Sequence, residues 1–152
     1  MRMWLAAGLL LFAAGCEFVA VPLPTASVTL QSVRLDLPRG SYCWSSGGKA
    51  TCADSASADA LLESGYLKPL RTAGGFDVQV AFQSKSELRT FQVQRVKSPI
   101  GTATEPSTAA LSFHLPAVPA APAGVYIYMI TSTWPQGDVS FFLPVELTSG
   151  AG

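Results

Sequence analysis

Cys43 and Cys52, nine residues apart, are the side chains in this sequence best placed for covalent chemistry. Gly47-Gly48 stands midway between them, a turn signal that lets the two thiols meet across a hairpin-like loop. A structural disulfide is the expected product, and closing a loop of about ten residues stabilises by roughly 2.5–3 kcal/mol in the chain-entropy picture. A redox pair, a metal site or two unpaired thiols are the alternatives. Redox pairs usually read Cys-x-x-Cys, and zinc needs three or four ligands where this chain offers one histidine, His114.

Other candidate chemistry is thinner. His114 could act as a general base, but it alternates outward on a strand and reads as a surface residue. Asp54, Asp59 and Glu63 could hold calcium or work as paired carboxylates, yet they lack a spaced acidic loop and fit a solvated helix start. Gly47-Gly48-Lys49-Ala50 evokes a phosphate loop but fails it twice, with Cys43 where the first Gly belongs and Ala50 where Ser or Thr belongs. No Gly-x-Ser-x-Gly elbow exists. Met129 with His114 could suggest copper; Met as core filler is the simpler reading. No cofactor and no metal are therefore expected.

The third cysteine has a different setting. Residues 4–14 are an unbroken apolar run behind Arg2, and Ala13-Ala14-Gly15-Cys16 ends it with small residues. As a helix, eleven residues span about 16 Å, half of a bilayer core of ~30 Å, which suits a signal-peptide h-region and not a membrane span. The Ala-Ala-Gly-Cys run resembles the lipobox of bacterial lipoproteins, with Ala13 where Leu is commoner. The resemblance covers sixteen residues. It implies removal of residues 1–15, diacylglyceryl attachment to Cys16 and anchoring to a bacterial membrane from the extracytoplasmic side. An ordinary signal peptide cut nearby, or a buried apolar helix with an incidental Cys, are the other readings. Residues 16–25, with Pro22 and Pro24, are expected to form a lipidated Cys and short tether, and residues 26–149 the domain.

Composition agrees with one folded domain. Apolar residues make up 49% and charged residues 13%, too apolar for a disordered chain. Ten basic residues balance ten acidic ones, which argues against a nucleic-acid partner. There is no Asn, so neither an N-glycosylation acceptor nor an Asn-Gly turn exists.

The elements that must position these residues read as β. Phe76, Val78, Val80 and Phe82 alternate with Asp77, Gln79 and Gln83. Phe91 and Val93, then Phe113 and Leu115, repeat the pattern, while residues 125–130 are apolar on both faces, as a covered central strand requires. Val139, Phe141, Leu143, Val145 and Leu147 make a returning face in which Pro144 predicts an edge or a bulge. Val28 and Leu30 have the opposite parity to Val33, Leu35 and Leu37, which predicts a bulge or sheet switch near Gln31-Ser32. One short helix is expected, capped by Ser57, with Ala58, Leu61 and Leu62 inward and Gly65 as its stop.

Six or seven such strands make a β-sandwich the expected architecture. The closing hairpin resembles the last two strands of an immunoglobulin-like domain, and Pro122-Ala123-Gly124-Val125-Tyr126-Ile127-Tyr128 places a tyrosine just after a glycine turn, where such folds often keep a tyrosine corner. This implies an immunoglobulin-like β-sandwich of about seven strands with one short helix. Gly40-Ser41-Tyr42-Cys43-Trp44 with Cys52 and Asp54 is similar to small, uncharacterised Gram-positive lipoproteins, a family that implies no activity.

Aromatics near turns supply the candidate contact residues: Tyr42, Trp44 and Trp134 foremost, with Tyr66 and Tyr128. Trp44 is expected to stand exposed on the disulfide-rigidified 42–52 loop, the alternative being that it packs inward. The functional expectation is a lipid-anchored, extracytoplasmic, non-enzymatic binding or accessory module, with an envelope protein or cell-wall ligand as partner. A small enzyme or redox or metal-handling protein, and a structural envelope lipoprotein, are the alternatives.

Overall fold

Ten strands and one helix form among residues 20–99, 111–117 and 120–149, which the computed structural model describes. In chain order they are β1 (Thr25–Leu30), β2 (Val33–Asp36), β3 (Arg39–Ser46), β4 (Lys49–Ala53), α1 (Ala58–Glu63), β5 (Leu70–Thr72), β6 (Phe76–Gln83), β7 (Thr90–Lys97), β8 (Ser112–Leu115), β9 (Gly124–Trp134) and β10 (Gly137–Leu147). One sheet runs β2-β1-β6-β8; the other runs β4-β3-β10-β9-β7, with β5 added in parallel to the end of β10. The two sheets share one apolar core, so the fold is a mainly β sandwich with one short helix, as expected.

Period-two patterning places the core. In β6, Val78 and Val80 are buried while Asp77 and Gln79 are exposed. Tyr128, Ile130, Val139, Phe141, Leu143, Val145 and Leu147 meet them from the facing sheet. β9 and β10 pair along all eleven of their residues around a Pro135-Gln136 turn. Gly137 begins β10 with φ 147, and a Cβ there would overlap the Cys43 carbonyl oxygen, so only glycine lets β10 approach β3 this closely.

The apolar outer face of β9 and β10 has its cover. Ile127 and Phe142 are buried there with Leu67, and Ala58, Leu61 and Leu62 of α1 pack on the same cluster. Ser57 caps the helix by accepting a hydrogen bond from the Ala60 amide, and Gly65 leaves it at φ 74. No helix among the described residues is long and apolar enough to cross a membrane.

Four expectations need correction. Among the described residues there are ten strands rather than about seven, because residues 42–52 form most of a paired hairpin and residues 70–72 add a short strand. The parity change at Gln31-Ser32 is a two-residue hairpin turn: Leu30 faces Val33 and Val28 faces Leu35, and opposed residues across such a turn have opposite parity. Gln31 takes φ 54, the sign primed turns require, without the glycine that would have announced it. β10 is central and not an edge, and its register shift against β3 lies between Val139 and Phe141, away from Pro144. Finally, the end of the expected tether is docked: Val21 and Leu23 pack on the core and Pro24 is buried.

Candidate functional site

Cys43 and Cys52 face each other across the β3–β4 hairpin at disulfide distance, with Cα atoms 4.1 Å apart. Gly47 and Gly48 close that hairpin with positive φ at both positions, the two-residue turn that right-twisted strands prefer. Such a turn makes Ser46 and Lys49 the hydrogen-bonded closing pair, so Cys43 and Cys52 fall on a non-hydrogen-bonded pair, where opposed Cα atoms come closest. Both cysteines are exposed, and β4 is exposed at all five positions. The bridge therefore staples an edge strand on the outer face of one sheet; it does not join the two sheets. Asp138 is the next residue in the same row, opposite Cys43.

Strand alternation sends Trp44 the other way. It is 5% exposed, its ring edge-on to Trp134 at 5.8 Å between centroids, and its Nε1 donates to the Val21 carbonyl oxygen at 2.9 Å. The expectation of an exposed recognition tryptophan is corrected: because Cys43 faces out, its neighbour must face in. Trp134 is 3% exposed and belongs to the same aromatic cluster, in edge contact with Phe82 at 5.7 Å. Tyr42 is half-buried against the core, with the Arg39 guanidinium 6.0 Å from its ring centroid. Tyr128 is buried as well. Among the five aromatic candidates, Tyr66 alone stands in solvent, 52% exposed.

Tyr66 lies beside a break in the sheet. On its side away from β9, β10 pairs with β3 only as far as Phe141 opposite Arg39, and with β5 only from Val145 opposite Leu70. The even-numbered amides of β10 point to that side, as Phe142 N to Pro38 O and Thr148 N to Thr72 O, each 2.9 Å, show at either end. Pro144 falls in the gap between β3 and β5, where its missing N–H leaves no bond unmade. A cleft of about 380 Å³ opens there, lined by Leu35, Leu37, Leu70, Leu143 and Pro144, with Asp36 and Lys68 bringing one charge of each sign. Tyr66 lines it too and donates from its hydroxyl to the Arg39 carbonyl oxygen at 3.1 Å. Leu67, 2% exposed, pins the chain on its other side. Pro144 was the visible signal for the gap, and Gly65, which ends α1, the signal for Tyr66.

The remaining polar candidates have separate partners. His114 sits opposite Asp77, Nδ1 to Oδ1 3.0 Å, with both side chains more than half exposed. Sequence spacing gave no hint of Asp77, which lies 37 residues away. Asp59 pairs with Lys97. Among the described residues, no group of three or more His, Cys, Asp or Glu side chains could hold a metal ion. Cys16 lies outside the described residues. Tyr126 donates to the Pro122 carbonyl oxygen, four residues upstream, at 2.8 Å. No protein-family model, curated protein or solved structure matches this chain.

Proposed function

We propose that this chain is a lipid-anchored, extracytoplasmic binding or accessory module without catalytic activity. Its location is supported by Ala13-Ala14-Gly15-Cys16 and by the Cys43–Cys52 pair. Both of those sulfurs belong to exposed residues, and thiol buffers of a reducing compartment would reach and reduce them. The Tyr126 bond to Pro122 supports reading the sandwich as immunoglobulin-like. The observation that carries the binding reading is the solvent-exposed Tyr66 ring at the edge of the apolar cleft beside Pro144. A rigid aromatic beside a preformed apolar recess is the common anchor of protein recognition. The partner class is an envelope protein or a cell-wall ligand.

Membrane fractionation with intact mass tests the anchor. The wild-type chain should pellet with membranes and begin at an acylated Cys16, while Cys16→Ala should leave an unprocessed chain. A mature N-terminus elsewhere defeats the lipoprotein reading. Crosslinking in intact cells tests binding: Tyr66→Ala should lose the adducts that wild type makes, with Val33→Ala, 56% exposed on β2, as control. Identical adducts from Tyr66→Ala and wild type would remove the cleft from the proposal.

A further inference from the structure

We infer that the domain stands end-on to the membrane, with the β3–β4 tip held against the lipid headgroups. This rests on the lipid-anchor reading above and adds an orientation to it. The chain enters the fold at a fixed point: the Val21 amide donates to Ser46 Oγ at 2.5 Å and its carbonyl accepts from Trp44 Nε1 at 2.9 Å. Leu23 and Pro24 then bury into the domain. Only five residue steps separate Cys16 from Val21, a contour of at most about 18 Å. The eleven residues of β9 make the domain's long axis about 35 Å. A lipid on Cys16 therefore keeps the Val21 end within half a domain length of the headgroups.

Four chain segments meet at that end. The Gly47-Gly48 turn follows Ser46 directly, and Ser45 N donates to Gln136 O of the β9–β10 turn at 2.8 Å. The 84–89 loop joins them, since Gln83 pairs with Thr25 and Arg89 N bonds to Thr133 O at 2.8 Å. Lys49, Lys85 and Arg89 lie here with Glu87 and Asp138, a surplus of one positive charge. Basic side chains are drawn to anionic headgroups, so charge favours this face but the short tether sets it. The opposite end carries the Gln31-Ser32 turn. Pro144 is seven residues along β10 from Gly137, placing the Tyr66 cleft about 24 Å from the tip and open to a partner.

Photo-crosslinking in the processed, membrane-bound full chain tests this, with benzoylphenylalanine replacing Lys49 at the tip or Arg34 near the far turn. Lipid adducts should be at least five-fold more abundant at position 49. Inserting about twelve Gly/Ser residues after Glu17 lengthens the tether without touching the fold and should bring that ratio below two. Equal adducts at 49 and 34 on a chain shown by mass to be acylated at Cys16 overturn the orientation alone. A ratio unchanged by the insertion also overturns it, because the tether would then not be its cause. A chain with no lipid on Cys16 overturns both the orientation and the anchor.

Discussion

Replacing both bridge cysteines, Cys43→Ser with Cys52→Ser, separates the staple from the core. The sequence separation of nine closes a loop of about ten residues, for which chain entropy gives about 2.7 kcal/mol at 25 °C. Little else should be lost, because both residues are exposed and serine has nearly the shape of cysteine. The position of β4 lowers the figure further. All five of its residues are exposed and, among the described residues, it pairs only with β3, so without the bridge it can fray while the core stays intact. We expect a global loss of about 1–3 kcal/mol, a shift of roughly 1 M in the urea midpoint. Trp44 and Trp134, both buried, report global unfolding by fluorescence. Hydrogen exchange should show the local effect, with the Lys49, Thr51 and Ala53 amides that face β3 exchanging faster while those of β9 and β10 are unchanged. A loss above about 5 kcal/mol, or a variant that does not fold, would show that the bridge supports the core and refute the edge-staple argument. Unchanged exchange in β4 together with a full global loss would refute the fraying part.

Three further substitutions probe the core. Trp44→Ala should cost about 3–5 kcal/mol in urea unfolding, since it empties the aromatic cluster and orphans the Val21 carbonyl; a loss under 1 kcal/mol would contradict the buried placement. Tyr126→Phe removes only the hydroxyl bonded to Pro122 and should cost about 1 kcal/mol, with near-ultraviolet dichroism otherwise preserved. Gly137→Ala places a Cβ against the Cys43 carbonyl at a positive φ and should cost about 2–4 kcal/mol by thermal unfolding; a neutral result would mean that β3 and β10 do not approach as described.

Much of this protein was written locally. Alternation in β6 and in β10 fixed which side chains face the core, because successive residues of a strand point to opposite faces. The double apolar face of residues 125–130 announced a central strand, and Ser57 and Gly65 bounded the helix that covers it. Gly47-Gly48 set midway between Cys43 and Cys52 aligned the two thiols, since a two-residue turn pairs residues equally distant from it.

What depended on distant partners could not be read this way. Pro144 forbids a ladder bond on one side, but whether that makes an edge or a gap depends on where β3 and β5 begin, 74 or more residues earlier in the chain. The cleft and the prominence of Tyr66 follow from that gap. Trp44 looked uncovered beside Ser45, Ser46 and two glycines, yet its cover comes from Val21 and Trp134, brought to it by the entering chain and by β9. The parity change at Gln31-Ser32 was visible, but only the pairing of β1 with β2 made it a turn, since pairing energy can hold a residue such as Gln31 at a φ its own preferences oppose. Patterning decides which face of a strand is wet; the neighbour of each strand is decided by contacts far apart in sequence, and the cleft exists only once those neighbours are in place.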